Sequence, residues 1–233
     1  EAGADRAAQR AVEEVVRGLR IYFFVDSSGS MEASLERAKP LVAKLVQAFP
    51  LDKIHVCTFN TMGREITIKH ASTKGVEQAF LGLKAAGGTD HGSGVRALQK
   101  YRPADDEDVL FIFVGDEEEN KPFHDVVLAS GLRPLAFGFL KTVATTGAAA
   151  WRLGQGFAAN AVRDTANRLG IPCFMLDERT FDNDPYSIPR TIRALVAATP
   201  VGTAVAQPRA QPRVTLVEQI LNTPLLVKPH FAI

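Results

Sequence analysis

Short, uniformly apolar runs alternate along most of the chain with longer segments of helical periodicity. The runs IYFFVD (21–26) and DVLFIFVGD (108–116) are apolar at nearly every position. Such runs are typical of strands buried on both faces of a parallel sheet. Residues 31–49 instead repeat apolar side chains at helical spacing and stop at Pro50. This alternation predicts a sheet whose consecutive strands are joined by helices.

The same pattern predicts the remaining elements and the fold class. Strands are predicted at 21–26, 54–60, 64–70, 108–116, 133–140 and 171–177. Helices are predicted at 31–49, 72–84, from near Ser93, 122–130, 157–169 and 187–198. A hairpin turn at TMG makes the third strand an antiparallel edge strand. The fold class is therefore α/β: a doubly wound, mostly parallel, Rossmann-like sheet with one antiparallel edge strand, helices on both faces and a C-terminal extension.

The two ends of the chain differ from this core. Residues 1–18 predict a leading amphipathic helix in front of a domain at 19–198. Residues 199–213 are rich in proline and lack acids, which indicates a linker. Residues 214–233 are apolar again, and we expect them to pack on this domain, a missing domain or a neighbouring chain. Because the first residue is Glu1 and not methionine, we expect a fragment or a processed product, with neighbouring domains missing.

Composition narrows the class of protein only moderately. The chain has 233 residues, of which 46% are hydrophobic and 23% charged, as in ordinary globular proteins. A net charge of +1 argues against a general polyanion binder. The sequence shows neither an apolar run of membrane-spanning length nor a secretory leader, so we expect a cytoplasmic protein without a membrane partner. Cys57 and Cys173 lie in apolar runs and are predicted to be buried thiols and not a disulfide.

Oxygen-bearing side chains follow two of the buried strands. Asp26 ends the first strand and is followed by Ser28 and Ser30, and Asp116 ends a later strand. In a doubly wound sheet, ligands bind beyond the carboxyl ends of strands, where neighbouring connections leave to opposite faces. If these two strands are neighbours, both acids face one crevice. The glycine-rich break GGTD then brings Thr89 to the same place.

The chemistry of this set predicts a metal site. All five side chains offer oxygen, which suits a hard cation such as Mg²⁺, with Mn²⁺ as the alternative ion. Only two of them carry charge, so a bound divalent ion would attract an outside carboxylate. Capping of a following helix is the simpler explanation for the aspartate and serines, but it does not require Thr89 and Asp116. Asp90 follows Thr89 directly and has two interpretations of equal weight: it belongs to the site, or it is only the N-cap of the helix that follows.

DSSGSM is similar to the D-x-S-x-S metal-ion-dependent adhesion site of von Willebrand factor A domains. GGTD and FVGDEEE stand where that family has its threonine and its last aspartate. The resemblance covers about residues 19–198 and includes the order of strands and helices. It implies that hydroxyls bind the metal directly and that the two aspartates act largely through water. All five positions are intact, which implies a metal-competent site at Asp26, Ser28, Ser30, Thr89 and Asp116.

The resemblance also implies a function. Such a domain would be an adaptor for protein–protein interaction, not an enzyme, in which the bound cation recognises an acidic group of a partner. One alternative is the A domain of a Ro-like noncoding-RNA-binding protein, with the RNA held by another domain. Adaptors of AAA-type ATPases are equally compatible. A metal-dependent hydrolase is the further alternative, but Ser28 lacks the G-x-S-x-G elbow and a clearly placed base.

Three more residues are candidates for contact with a partner. Glu117 opens the acidic run after Asp116 and is either part of a solvated loop or a modifier of the field around the metal. Trp151 and Arg152 lie in a small-residue loop after a parallel strand. They either contact the partner beside the ion, or Trp151 folds back over the edge of the sheet.

Overall fold

The computed structural model describes residues 18–32, 35–47, 49–70, 72–116, 121–142 and 160–176. Six strands are present in this part of the chain: β1 (Leu19–Asp26), β2 (Ile54–Phe59), β3 (Gly63–Ile66), β4 (Asp108–Gly115), β5 (Pro134–Lys141) and β6 (Cys173–Leu176). The helices are α1 (Leu35–Gln47), α2 (Thr73–Ala79), α3 (His91–Leu98), α4 (His124–Ser130) and α5 (Ala161–Leu169). Short 3-10 helices occupy Gly29–Met31 and Leu51–Lys53.

The six strands form one sheet in the order β3-β2-β1-β4-β5-β6. Every neighbouring pair is parallel except β2 and β3, which are antiparallel. The predicted α/β fold with one antiparallel edge strand is therefore confirmed. The first and fourth strands are direct neighbours, with Val25 opposite Val114. This adjacency was the condition on which the predicted crevice between the two acids depended.

Helices cover both faces of the sheet because successive strand residues point to opposite sides. Phe23 of β1 belongs to a core that includes residues of α1 and α2. Its neighbour Phe24 belongs to a second core that includes residues of α3, α4 and α5. Burial on both faces explains why the central strands are continuously apolar in sequence.

Several predicted elements are shorter in the structure. The edge strand, predicted at 64–70, ends at Ile66, the last residue that pairs with β2. The helix predicted at 72–84 ends at Ala79. Gly82, with φ of +75°, has left the helical conformation three residues later. The leading helix, the helix at 187–198, the linker and the C-terminal tail lie outside the described residues, and the domain boundaries stay predictions.

The acidic run before β4 contains a buried ion-paired carboxylate, that of Glu107. The Glu107 side chain is only 3% exposed, and its carboxylate binds Arg20 at 2.9 Å and also Lys53. Although burial opposes it, these hydrogen bonds hold the pKa of Glu107 at about 2. The ion pairs therefore connect the beginning of β4 to β1 and to the turn before β2. They lie at the amino ends of these strands, whereas the candidate site lies at the carboxyl ends.

Neither cysteine forms a disulfide within the described residues. Cys57 is buried in the second core, and Cys173 is half-buried. Within the described residues, no helix combines the length and apolar character needed to cross a membrane.

Candidate metal site

The candidate site lies at the carboxyl ends of the central parallel strands. Asp26 is the last residue of β1, and Asp116 directly follows β4. β1 lies between β2 and β4, so connections leave the sheet on both sides of it. This is the topological position at which doubly wound sheets bind ligands.

Asp26 is a buried carboxylate with an incomplete set of hydrogen bonds. Its side chain is fully buried, and Oδ1 accepts a hydrogen bond from the Ser28 amide at 2.7 Å. Oδ2 has no hydrogen-bond partner among the described residues. An unsatisfied buried oxygen in a native fold needs a physical explanation, and a bound ion is one of the few available.

The environment of Asp26 penalises its charge. Burial raises the pKa of Asp26 to about 6. The hydrogen bonds from Ser28 lower this pKa, whereas the nearby negative charge of Asp116 raises it further. The two carboxylates therefore interact electrostatically across the β1–β4 junction, and a cation placed between them would relieve the penalty.

The hydroxyls of Ser28 and Ser30 lie together. Their Oγ atoms are 3.0 Å apart, at the start of the 3-10 helix Gly29–Met31. Ser28 is the N-cap residue of that helix, yet its side chain makes no capping hydrogen bond there. Helix capping therefore does not account for the two serine hydroxyls, which leaves them available as a pair of neutral oxygen donors.

The loop that carries Thr89 is fastened to the turn after β1. The Ala86 amide donates to the Ser27 carbonyl at 2.9 Å, and the Gly29 amide donates to the Gly87 carbonyl at 3.0 Å. Gly87 has φ of +78°, a conformation that favours glycine. Thr89 follows two residues later and is half-buried. The backbone thus brings the threonine segment alongside the segment that holds both serines.

Asp90 has the capping role that was one of its two predicted interpretations. Its side chain accepts a hydrogen bond from the Ser93 amide at 3.2 Å, at the N-terminus of α3. Its carboxylate also forms an ion pair with Arg96. Asp90 is therefore explained by helix capping.

Gly115 makes room for the Asp26 side chain. A β-carbon at Gly115 would lie 2.8 Å from Cβ of Asp26 and 3.2 Å from its Oδ2. Because Cβ is fixed to the backbone, Asp26 could not rotate away from such a contact. The glycine before Asp116 is thus a steric requirement of the site that sequence reasoning missed.

His91 is a buried histidine at the first position of α3. It is 2% exposed, and its ring stacks on Phe123 with centroids 5.3 Å apart. It also packs against Phe59, whose Cα pairs with that of Asp26 in the sheet. His91 acts electrostatically on Asp26. It therefore forms part of the packing beneath the strand ends.

The three predicted partner-contact residues, Glu117, Trp151 and Arg152, lie outside the described residues. Within the described ranges, no group of three or more histidine, cysteine, aspartate or glutamate side chains is arranged to hold a metal ion. A cation at the strand ends would therefore depend on hydroxyl oxygens together with two carboxylates. That donor set fits a hard ion such as Mg²⁺.

Comparison with known proteins finds one similar family and several similar solved structures. The family model of the von Willebrand factor type A domain matches residues 21–118. No curated protein matches the chain. Among solved structures, an aerotolerance-related membrane protein from Bacteroides fragilis, carrying multiple mutations to serines, is similar with a TM-score of 0.52 and 15% identity, over 77% of this chain and 98% of that one. The conserved hypothetical protein BatB from Bacteroides thetaiotaomicron is similar with a TM-score of 0.51 and 15% identity, over 76% and 98%.

The family model covers residues 21–118, which is less than half of the chain, so the relation to von Willebrand factor type A domains is a similarity of that segment. At 15% identity the two solved structures support the fold alone. The cytoplasmic location expected from the sequence stays a prediction.

Proposed function

We propose that this domain binds a protein partner through a divalent cation, Mg²⁺ or Mn²⁺, held by Asp26, Ser28, Ser30, Thr89 and Asp116. The observation that carries the proposal is the buried, unsatisfied Oδ2 of Asp26 beside a pair of contacting serine hydroxyls. When bound, the cation would supply an electrophilic centre for an acidic side chain of the partner.

Two kinds of side chain would contribute to cation binding: neutral hydroxyls and negatively charged carboxylates. The serine hydroxyls and Thr89 would provide neutral oxygen donors. Asp26 and Asp116 would provide negative charge, which burial penalises at Asp26. Because only two of the donors are charged, an anionic group from outside would complete the neutralisation of a divalent ion.

The contacts of Ser28 favour binding over catalysis. In the described part of the chain, its hydroxyl pairs with the hydroxyl of Ser30, and its amide binds Asp26. Neither contact is with an imidazole that could remove the hydroxyl proton. We therefore propose a binding module and not a hydrolase.

Substoichiometric Mn²⁺ tests the site directly, because a paramagnetic ion broadens the NMR signals of nearby nuclei. We expect selective broadening of the amide signals of residues 27–30 and 88–90, with competition by excess Mg²⁺ and reversal by EDTA. Acetate, as a minimal carboxylate probe, should then shift the same signals only when Mg²⁺ is present. Broadening that is absent, or centred on other residues, would refute the proposed metal site. An acetate response that is equal with and without Mg²⁺ would refute recognition through the ion.

The steric requirement at Gly115 gives a second prediction. Gly115→Ala forces Asp26 from its position, so we expect Mg²⁺ binding about tenfold weaker or worse. Overpacking should also lower the free energy of unfolding by about 1–2 kcal/mol. Isothermal titration calorimetry and thermal unfolding measure the two effects.

Gly138→Ala is the matched control for Gly115→Ala. Gly138 also lies in a parallel strand, but the nearest atom to its added β-carbon is the flexible end of Leu176, at 3.3 Å. This variant should keep the Mg²⁺ affinity of the unaltered protein. Equal Mg²⁺ affinity in both alanine variants would show that Gly115 does not shape the site.

A further inference from the structure

We propose that Asn60 is a positioning residue, which holds the segment 86–90 with Thr89 in place and thereby sets the affinity of the site for Mg²⁺. This inference rests on the proposed function. Asn60 directly follows β2, on the side of β1 opposite to Asp116.

The side chain of Asn60 bridges two loops. Its Nδ2 donates to the carbonyl of Ala86 at 2.9 Å, and its Oδ1 accepts from the amide of Met62 at 2.9 Å. The first bond holds the start of the threonine segment, and the second closes the turn between β2 and β3. Reversing the amide would break both bonds, so donor and acceptor are each required in their places.

The main chain of Asn60 holds the other end of the same segment. Its carbonyl accepts a hydrogen bond from the Asp90 amide at 2.8 Å. The side-chain bond to Ala86 and this main-chain bond therefore fasten the segment at both ends, and Thr89 lies between them. Truncating the side chain would release only the Ala86 end.

The released end is the one that contacts the serine turn. Ala86 donates to the Ser27 carbonyl, and the Gly87 carbonyl accepts from the Gly29 amide. The same short stretch is thus bound by Asn60 on one side and by the turn with Ser28 on the other. Losing the Asn60 bond should loosen the alignment between the threonine hydroxyl and the two serine hydroxyls. Residues that orient metal ligands in this indirect way typically change metal affinity by 10–100-fold.

Asn60→Ser separates the two side-chain bonds. A serine can still accept from the amide two residues later, as serine does in turns, but it is too short to reach Ala86. Ser130→Ala is the matched control, because the Ser130 hydroxyl also donates to a carbonyl, that of Val127, and accepts from an amide, that of Leu132. Ser130 precedes β5 and therefore lies at the amino ends of the parallel strands, whereas Asn60 follows the carboxyl end of β2. Asn60→Ala, which removes both bonds, completes the set.

The test uses the whole chain and two measurements. Amide hydrogen exchange of Ala86, measured in EDTA, reports how often the hydrogen bond between Ala86 and Ser27 opens when no metal is bound. Mg²⁺ titration calorimetry reports affinity. In Asn60→Ser we expect Ala86 to exchange about tenfold faster and Mg²⁺ to bind about tenfold more weakly. Ser130→Ala should change neither the exchange rate of Ala86 nor the Mg²⁺ affinity, even if it lowers the melting temperature as much as Asn60→Ser does.

The outcomes distinguish this inference from the proposed function. Unchanged Ala86 exchange in both Asn60 variants would overturn the positioning role, whatever the metal does. Faster exchange with unchanged Mg²⁺ affinity would overturn the link to the metal. An unaltered protein that binds no Mg²⁺ would overturn the proposed function and with it the affinity part of the inference.

Discussion

A variant in which Ser28 and Ser30 are both alanine is expected to bind Mg²⁺ about 100-fold more weakly than the unaltered protein, or worse. Each hydroxyl contact with a charged group contributes about 1.5–3 kcal/mol. The loss of two such contacts therefore amounts to at least about 3 kcal/mol, and a tenfold change in affinity corresponds to about 1.4 kcal/mol. Titration calorimetry with Mg²⁺ measures the loss.

The double variant should change stability far less than it changes affinity. The two hydroxyls are bonded to each other at 3.0 Å, so their joint removal leaves neither of them unsatisfied, and the Asp26 carboxylate keeps its hydrogen bond from the amide of residue 28. We expect the free energy of unfolding in EDTA to fall by less than about 1 kcal/mol. Ser72→Ala is the control, because it removes a helix-capping bond to Gly75 and should lower stability without touching Mg²⁺ affinity. Mg²⁺ binding that survives in the double variant would contradict the assignment of the hydroxyls.

Replacing Asp26 by asparagine is expected to stabilise the metal-free protein while removing its response to Mg²⁺. Asparagine is close in shape, keeps an oxygen that can accept from the Ser28 amide, and carries no charge into the buried position. At pH 7.5 in EDTA, we expect the free energy of unfolding to rise by up to about 3 kcal/mol. This figure converts the pKa change from 3.8 to about 6 at about 1.4 kcal/mol per pH unit.

The pH dependence of this effect has a definite sign. Burial raises the pKa of Asp26, so the folded protein holds this proton more tightly than the unfolded chain does. The stabilising contribution of the protonated carboxyl is therefore fully present below about pH 4 and is lost as the pH rises to about 6. The advantage of Asp26→Asn should accordingly be small near pH 4 and reach its full size above about pH 6.

Chemical denaturation between pH 4 and 8, with and without Mg²⁺, measures the effect of Asp26→Asn. Asp105→Asn, at an exposed position, is the matched control and should show no comparable gain in stability. Mg²⁺ should raise the stability of the unaltered protein and of the Asp105 variant, but not that of Asp26→Asn. An Asp26→Asn protein less stable than the unaltered one in EDTA at pH 7.5 would show that the carboxylate is well solvated or otherwise paired.

The central strands were predictable because a strand buried on both faces has apolar residues at consecutive positions of the sequence. Residues 21–26 and 108–116 are continuously apolar, and both form central strands of the sheet. The hairpin TMG likewise fixed the antiparallel edge strand, since a short turn leaves no room for a crossover. The ends of elements were less predictable. The edge strand stops where its pairing with β2 stops, and the residues beyond Ile66 carry no local signal of that boundary.

The candidate site also has residues that could be predicted from the sequence and residues that could not. The residue types at Asp26, Ser28, Ser30, Thr89 and Asp116 made them candidate hard-ion donors from the sequence. The proposed roles of Asn60 and Gly115 could not be predicted in this way, because they depend on partners distant along the chain. The Asn60 side chain acts on Ala86, 26 positions away. The missing side chain of Gly115 matters only because Asp26 lies against it.

The sequence by itself determined the alternation of strands and helices, the class of fold and the five candidate oxygen donors, since periodicity and residue chemistry are local properties. Only the tertiary structure decided that β1 and β4 are neighbours, that Asp26 is buried with an unsatisfied oxygen, and that the Thr89 segment is fastened beside the serines. These features follow from pairing between strands and loops far apart in the chain. Burial and electrostatic coupling exist only after that pairing has formed.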